Sequence, residues 1–361
     1  MSWRFHLAEL PSMSWVTRDL PLKNVQVDEC LSAPGMITGA LSLGYEIRPR
    51  RWHHLLVAEC DGVVRAAGPV DFVDPDGDDL IVEARGFSGY PTGLPWAGDD
   101  YAGIQVDPLD IVRRIWAHVQ SFPDGDLGVT VDELKTPVRV GEEERDVNFT
   151  TEDGDDVSFT TGPFRLAIWQ TDDLGKVLDE LARDTPFAYR ERFGWSEDRE
   201  HLDLHLELGY PEIRVRKPRL HFEVGLNVTA IPPAEWSEEI SEVQVLGAGE
   251  GSAKPRATLP VRKATPQLRR VHRVEDRSAQ SNIAAQRVAE PYAKHFSTEQ
   301  TKISELVVAD HPAAPVSAFG PGDEIRVRGD AGWVHLDHWV RIDRATTDVD
   351  SGLVTLGVTT V

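Results

Sequence analysis

Short apolar-rich runs separated by turn residues fill the first 95 positions of the chain. Several alternate between apolar and polar residues, which is the period-2 pattern of a half-buried strand. Asp61 and Gly62 separate two runs and predict a tight hairpin. The acidic residues at 74–79 predict a solvated hairpin turn rather than a calcium loop, because the spaced ligands of an EF-hand are missing. Strands without intervening helices predict a barrel or a sandwich. The runs cover residues 5–10, 25–28, 39–47, 52–60, 63–73 and 80–87.

A change from period 2 to period 3.6 marks two helices in the middle of the chain. The first is predicted over 107–122, with Asp107 as its N-cap and Pro108 at the first helical position. The second is predicted over 172–183, with its cap at position 171 or 172. Each has apolar residues at the spacing of one buried helix face. These are Leu109, Val112, Trp116 and Val119 in the first helix, and Leu174, Val177, Leu178 and Leu181 in the second.

The two helices belong to a segment that is otherwise polar or strand-like. Residues 141–158 are rich in Glu and Asp and predict an exposed acidic loop. Alternating runs after the second helix predict a small meander, and two consecutive prolines at 232 and 233 mark its end. These runs cover residues 187–193, 202–208 and 221–224.

The last third of the chain has the order strand, helix and short strands. Its first strand ends in a glycine-rich run over 243–251. The helix is predicted over 278–296 with Ala285, Val288, Ala289, Tyr292 and Phe296 on one face, and Pro291 is expected to kink it or end it early. A proline-rich stretch at 312–321 then leads to two alternating strands, at 323–330 and 339–344.

These patterns together predict a mainly β fold with an α+β insert. We expect an N-terminal β-barrel over residues 1–95, an α+β region with two helices and an acidic loop over 96–236, and a second β-barrel with one helix over 237–361. The first and last segments could be two copies of one barrel type.

Composition and charge limit the partners of the chain. Its 361 residues are 40% hydrophobic and include 10 Trp and 12 Phe, enough to build cores in two or three domains. The net charge of −22 opposes nonspecific binding to nucleic acid, but an acidic wall allows DNA to slide past without sticking. We expect no signal peptide and no membrane segment, and we expect Cys30 and Cys60 to be free thiols in a reducing compartment.

A search for reactive motifs gives weak candidates only. The glycine-rich run is not followed directly by a helix, so it fits a flexible loop better than a nucleotide site. His335 and His338 flank Asp337 and could approach a cation in a turn, although a polar hairpin beside Trp333 and Trp339 explains them better. His53 and His54 are adjacent and would point to opposite faces of a strand. Trp96 and Trp116 are expected in a core or an interface. We therefore assign no catalytic, cofactor-binding or metal-binding residue and expect a non-enzyme.

Several of these segments resemble a known family. A "Val-x-Val-x-Gly-x-Gly-x-Gly" strand over 243–251, an Ala- and Arg-rich helix, a proline-rich loop, "Pro-Gly-Asp-x-Ile-x-Val" at 321–327 and "Val-Arg-Ile-Asp" at 340–343 look like the baseplate hub, or tail-associated minor tail, proteins of tailed bacteriophages. The strand at 80–87 and the helix at 107–119 look like minor tail proteins of phages that infect actinobacteria. An excess of arginine over lysine agrees with such a host.

The resemblance implies a structural protein of the virion. It implies a homotrimer in which two tail-tube-like barrels per subunit form a pseudo-sixfold ring that joins the tail tube to the distal tip. The ring would surround the DNA exit channel, and DNA would pass without specific binding. The implied partners are other tail proteins: a distal tail ring, a tape measure and tip or fibre proteins. The implied location is the distal end of the tail, after assembly in the host cytoplasm. Some relatives carry a C-terminal peptidase or lysozyme domain, which we do not expect in this sequence.

Two other functions stay open at this stage. A carbohydrate- or receptor-binding tail module would use exposed tryptophans to contact the host surface. A cell-wall glycan hydrolase would need a pair of acidic residues in a cleft, but Asp and Glu are too abundant to single out one pair.

Overall fold

The structure is a computed structural model, and strands dominate its described part. That part comprises residues 1–150, 156–231, 235–236, 240–248, 254–261, 268–276, 279, 281–297, 301–331 and 334–361. The strands are β1 (Trp3–Glu9), β2 (Ser14–Thr17), β3 (Lys23–Cys30), β4 (Met36–Ser42), β5 (His54–Cys60), β6 (Val63–Asp76), β7 (Asp79–Arg85), β8 (Tyr101–Gly103), β9 (Val129–Val131), β10 (Arg145–Thr150), β11 (Asp156–Thr161), β12 (Phe164–Leu166), β13 (Ala188–Trp195), β14 (Leu202–Gly209), β15 (Val215–Arg216), β16 (Phe222–Glu223), β17 (Val228–Ala230), β18 (Glu235–Trp236), β19 (Glu242–Leu246), β20 (Arg256–Pro260), β21 (Val271–Glu275), β22 (Thr301–Lys302), β23 (Glu305–Ala309), β24 (Asp323–Ala331), β25 (Val334–Asp348) and β26 (Leu353–Thr360).

Three α-helices accompany these strands in the described ranges. They are α1 (Pro108–Gln120), α2 (Leu174–Asp184) and α3 (Asn282–Ser297). Short 3-10 turns lie at Phe87–Gly89 and Val316–Ala318. Within these ranges, none of the helices combines the length and the apolar character needed to cross a bilayer.

The chain divides into two compact units. The first unit comprises Met1–Glu144, Thr161–Pro232 and Ser304–Val361, and the second comprises Arg145–Thr160 and Pro233–Ile303. Residue 95 lies within the first unit, in which strands from the start and the end of the chain pair with each other.

One extended strand network organises the first unit. Its main path runs β17-β23-β26-β25-β3-β4-β7-β6-β5-β1-β2, and β24 pairs with β25 and with the short β15 and β16. The junction lies between β25 and β3, which pair antiparallel from Arg344 opposite Cys30 to Asp348 opposite Gln26. The first and last segments of the chain thus share one sheet.

The predicted mainly β class is confirmed, but the two closed barrels are not. Among the described strands, the main path is open, ending at β17 and at β2. Because β25 hydrogen-bonds to β3 as well as to β26, strands from the start and the end of the chain belong to this one path.

Both hairpin turns predicted in the first 95 residues form. β5 and β6 pair antiparallel around Asp61 and Gly62, which both have positive φ, at 49° and 86°. β6 and β7 pair around Gly77, so the acidic cluster at 74–79 is a hairpin turn. Gly suits such turns because it reaches positive φ without steric cost.

Helices α1 and α2 supply a hydrophobic core of the first unit. Asp107 caps α1 as predicted, since its Oδ1 accepts from Leu109 N at 3.0 Å. The cap of α2 is Asp173 rather than residue 171 or 172, because Asp173 Oδ1 accepts from both Gly175 N and Lys176 N. Both helices bury apolar faces against β9, β13 and β14; their buried members are Leu109, Ile111, Val112, Ile115, Trp116, Val119, Leu174, Leu178 and Leu181.

The second unit has a smaller core. The strands β20-β19-β21 form a three-stranded sheet, and α3 packs Ala285, Ala289 and Phe296 into the same apolar cluster as Val243 and Val245 of β19. Helix α3 begins at Asn282 and continues through Pro291 to Ser297, so the expected early end is wrong. A proline removes one backbone hydrogen bond, and burial of the apolar residues on both sides of it favours the continued helix.

The remaining sequence predictions in these regions have mixed outcomes. The predicted acidic loop at 141–158 contains β10 and β11, which pair as a two-stranded hairpin. Residues 151–155, the prolines at 232 and 233, the glycines at 249 and 251, and Ser278 lie outside the described residues.

Candidate functional site

A charged cavity of about 380 Å³ lies inside the first unit. We call it the ion-pair cavity and define it by Glu29, Arg65, Arg190, Glu191, Lys217 and Asp323. These residues come from β3, β6, β13, the segment after β15 and the start of β24. The cavity therefore brings together charges from five separate stretches of sequence, of which β13 belongs to the three-stranded sheet β13-β14-β9 and not to the open strand network.

The first ion pair of this cavity joins β6 to β3. Arg65 Nη2 lies 2.6 Å from Glu29 Oε1 and also donates to the carbonyl of Phe319 at 2.7 Å. Both side chains are largely buried, with 7% and 14% of their side-chain surface exposed. Burial raises the pKa of Glu29 and the Arg65 charge opposes this rise. Removing the two charges from water has a free-energy cost that offsets most of their attraction. The main effect of this ion pair is therefore to hold the two side chains in one geometry.

The second group of ion pairs surrounds Arg190 on β13. Its Nε and Nη2 donate to both oxygens of Glu207 at 2.8 and 3.0 Å, and Nη1 donates to the carbonyl of Pro321 at 2.8 Å. Asp323 lies 3.5 Å from Arg190 and 3.5 Å from Lys217. Each of these charges thus has an opposite partner, and Arg190 ties the loop before β24 to the β13–β14 pair.

The Glu191 carboxylate lies at one side of the cavity, where backbone groups surround it closely. Its Oε1 accepts from Ser88 N at 2.7 Å and its Oε2 accepts from Gly35 N at 3.2 Å. The fit is tight because a Cβ at Gly86 would lie 2.3 Å from Glu191 Oε2. Loss of hydration raises the pKa of Glu191 to about 7, against the opposing effect of the N–H donors.

The contacts in the ion-pair cavity connect separate segments of the chain. A carboxyl with a pKa near 7 suits a general acid, but both Glu191 oxygens accept from backbone N–H groups.

Two cysteines lie at or near the cavity. Burial raises the pKa of Cys30 and raises that of Cys60 to about 12, so both stay protonated and weakly nucleophilic at neutral pH. Both are free thiols, as predicted.

The histidine candidates do not come together as ligands. His335 lies 2.7 Å from Asp330, whereas Asp337 accepts two hydrogen bonds from Arg326 at 2.6 and 2.7 Å. His54 Nδ1 accepts from Arg50 N and is buried, while His53 contacts the carbonyl of Arg51. In the described part of the chain, no group of three or more His, Cys, Asp or Glu residues is arranged to hold a metal ion.

The tryptophans divide into buried and exposed groups. Trp96 and Trp116 are 5% and 1% exposed and belong to the core with α1, as expected. Trp52 and Trp169 are 51% and 68% exposed. Trp333, which was expected beside the His335 hairpin, lies outside the described residues.

Sequence reasoning missed the ion-pair cavity, although β13 carried a signal. Alternation on this strand places Glu191 on the same face as Tyr189 and Phe193. A carboxylate between two aromatic residues on an inward face is unusual, because burying it requires dedicated hydrogen-bond donors. Its partners, Gly35 and Ser88, are more than 100 residues away, so the pattern alone could not identify them.

The chain is similar in fold to known tail proteins. The 43 kDa tail protein of prophage MuSo2 from Shewanella oneidensis superposes with a TM-score of 0.54 and 14% identity over 99% of this chain and 98% of that chain. A tail protein from Neisseria meningitidis MC58 gives a TM-score of 0.51 and 12% identity, over 100% and 97%. A chain of the Francisella PdpA–VgrG complex gives 0.50 and 8% identity, over 99% of this chain and 52% of that chain.

These similarities concern the fold, because the identities are low. The sequence matches no protein-family model, and it matches none of the curated proteins. The neighbours named above are tail and VgrG-complex proteins, and two of them align over nearly their full length.

Proposed function

We propose that the chain is a structural component of a phage-type tail, and that three copies form a hub ring joining the tail tube to the distal tip. The observation that carries this proposal is the similarity over nearly the full length of both chains to two tail proteins. The pairing of β3 near the start of the chain with β25 near its end supports the proposal, because it would suit a rigid ring segment. The actinobacterial type of host stays a prediction from the sequence resemblance.

The charge of the chain supports a passive role toward DNA. A net charge of −22 repels phosphate, so a ring of this protein would let DNA leave through its centre without specific binding. The proposed partners are other tail proteins: the distal tail ring, the tape measure, and tip or fibre proteins. The similarity to a chain of the PdpA–VgrG complex supports assembly with partners of this class. The proposed location is the distal end of the virion tail, reached after assembly in the host cytoplasm.

The mass of the purified protein in solution tests the ring. We expect a species of about three times the 40.1 kDa chain mass, and ring-shaped particles in negative-stain images. A cyclic trimer requires two different complementary surfaces on each subunit. A monomer at every concentration tested, without ring-shaped particles, would exclude the ring.

A second candidate function rests on the two exposed tryptophans. Trp52 and Trp169 present large rings to solvent, as a carbohydrate- or receptor-binding tail module would require. Binding of the isolated protein to intact host cells, lost in Trp169→Ala and kept in a Trp116→Phe control that remains folded, would favour this function. Equal cell binding by both variants would exclude Trp169 as a contact.

A further inference from the structure

A second cavity of the first unit differs from the ion-pair cavity in its charge. It has a volume of about 420 Å³ and is lined by Arg4, Arg18 and Arg199, with His6 and Glu59 among its other lining residues. We call it the arginine pocket. Arg4 and His6 lie two positions apart on β1 and Arg4 is paired in register with Glu59 of β5, so the sheet itself places these groups together.

Aromatic rings hold two of the three guanidinium groups in place. The Arg18 guanidinium lies 4.8 Å from the ring centroid of Trp15 and 5.7 Å from that of Trp195. Arg199 lies 5.3 Å from the Trp195 ring centroid. Stacked guanidinium groups lose little further freedom when they bind an anion, which favours binding.

The acidic groups of the pocket do not neutralise all three arginines. Glu59 Oε2 accepts from Trp195 Nε1 and Arg199 Nη2, both at 2.7 Å. Asp61 accepts from Ser2 N at 2.7 Å.

Arg18 and Arg4 are the less neutralised cations. Arg18 has only a 3.4 Å contact with Glu200, and 38% of the Arg18 side chain is exposed. Arg4 is exposed, and no hydrogen bond or ion pair joins its side chain to another described residue. The pocket therefore carries one more cation than anion, on a chain whose net charge is −22.

His6 adds an unsatisfied polar group to this pocket. It is 4% exposed and neither ring nitrogen makes a hydrogen bond of good geometry to a described residue, although a weaker contact with the backbone of Arg18 favours its protonated form. Its Nε2 lies 3.6 Å from Glu59 Oε2, which is longer than a hydrogen bond. Buried polar atoms are nearly always bonded to protein, water or ligand, so this imidazole on the cavity wall can bond to a ligand that enters the pocket.

We propose that the arginine pocket binds the phosphate or carboxylate group of a sugar-sized anion. Guanidinium groups donate paired hydrogen bonds to both oxyanions, and Arg4 is free to do so. The volume is within the range of small-molecule sites and exceeds what a bare oxyanion needs. His6 supplies a further donor, and Trp195 supplies an apolar wall beside the charges.

Titration calorimetry on the full chain tests this proposal with four probes: glucose 6-phosphate, glucuronate, glucose and inorganic phosphate. We expect one of the two charged sugars to bind at least tenfold more tightly than glucose and inorganic phosphate. The charged sugar that binds more tightly identifies the preferred oxyanion. If inorganic phosphate bound as tightly as the charged sugars, the site would not be specific for a sugar-sized anion. If neither charged sugar bound, the proposal would be wrong.

Two charge-matched variants separate the pocket from general electrostatics. Arg4→Gln should weaken binding of the charged sugar at least tenfold. Arg114→Gln removes the same charge from an arginine stacked 4.1 Å from the Tyr101 ring centroid, outside the pocket, and should leave binding unchanged. Equal losses in the two variants would exclude a specific site.

Binding of glucuronate at two pH values tests the role of His6. Burial lowers the pKa of His6, and its charged neighbours are Glu59, Arg4 and Arg18. A bound anion favours the protonated imidazole, so affinity should rise as the pH falls from 8 to 5.5, while the carboxylate stays ionised. His6→Gln should remove this pH dependence. The same pH dependence in His6→Gln would exclude His6 from the site.

Discussion

The ion-pair cavity and the arginine pocket show two uses of charge within one compact unit. In the ion-pair cavity, Arg65 and Arg190 each contact a carboxylate and a backbone carbonyl. In the arginine pocket, Arg4 has no ion-pair or hydrogen-bond partner among the described residues, and neither His6 nitrogen makes a hydrogen bond of good geometry to one of them. Both places have buried polar atoms without a hydrogen bond, including Asp28 Oδ1 at the ion-pair cavity, but among the described lining residues only the arginine pocket has an arginine without an ion-pair partner.

The paired charges of the ion-pair cavity hold parts of the fold together, whereas the unpaired charge of the arginine pocket can bind a ligand. A buried ion pair adds little net stability, yet removal of one partner leaves an uncompensated charge and is costly. An exposed arginine without a partner is solvated, so its removal costs little stability but can cost binding. Stability measurements on matched variants in the two cavities should therefore diverge.

The largest loss of stability is expected for Arg190→Gln. This change removes the buried cation and leaves Asp323 with only the more exposed Lys217 and Glu207 with only the exposed Arg192, which should lower the free energy of unfolding of the first unit by about 3 kcal/mol. Urea denaturation followed by tryptophan fluorescence measures the change. Arg326→Gln, which breaks an exposed pair with Asp337, is the control and should have a much smaller effect. Similar losses in both variants would contradict a special role for the ion-pair cavity.

The next largest effect is a pH dependence contributed by Glu191. Its pKa is raised to about 7 in the folded chain, above the 4.5 of the free side chain. Its stabilising contribution is therefore present at low pH and is lost as the pH rises from about 4.5 through 7. Glu191→Gln cannot ionise, so its stability relative to the parent chain should rise by about 2.5 kcal/mol between pH 5 and pH 8. A difference that stays constant over this range would mean that Glu191 is ionised throughout.

A smaller loss is expected when Arg199 is replaced by Gln in the arginine pocket. Glu59 then loses one charged donor but keeps Trp195 Nε1, and water can reach the place of the half-exposed Arg199 side chain. We expect a loss of about 1 kcal/mol in the same urea experiment. A loss of unfolding free energy as large as that of Arg190→Gln would mean that the Glu59–Arg199 ion pair stabilises the fold as the ion pairs of the ion-pair cavity do.

The smallest effect on stability is expected for Arg4→Gln, within about 0.5 kcal/mol of the parent chain. This variant is the one for which binding and stability should separate most clearly. If it unfolds as easily as Arg190→Gln, Arg4 serves the fold, and the contrast between the two cavities fails.

The local features of this chain could be predicted because they depend on neighbours in the sequence. The Asp107 cap with Pro108 located α1, and the Asp61–Gly62 turn located the β5–β6 hairpin. The alternation at 202–208 located β14. The resemblance in the last third indicated a tail protein, and the fold similarity to tail proteins agrees with it.

The sequence by itself thus determined the helices, many of the strands, the mainly β class and the acidic balance, because periodicity, turn chemistry and charge are local or additive properties. Only the tertiary structure decided that β25 pairs with β3 in one open sheet network. It also decided that Glu191 contacts Gly35 and Ser88. The arginine pocket likewise forms only in the folded chain, where three arginines lie around His6. Strand pairing and buried charge contacts join residues that are distant in the chain, and a strand's alternation shows which face is buried but not which strand lies beside it.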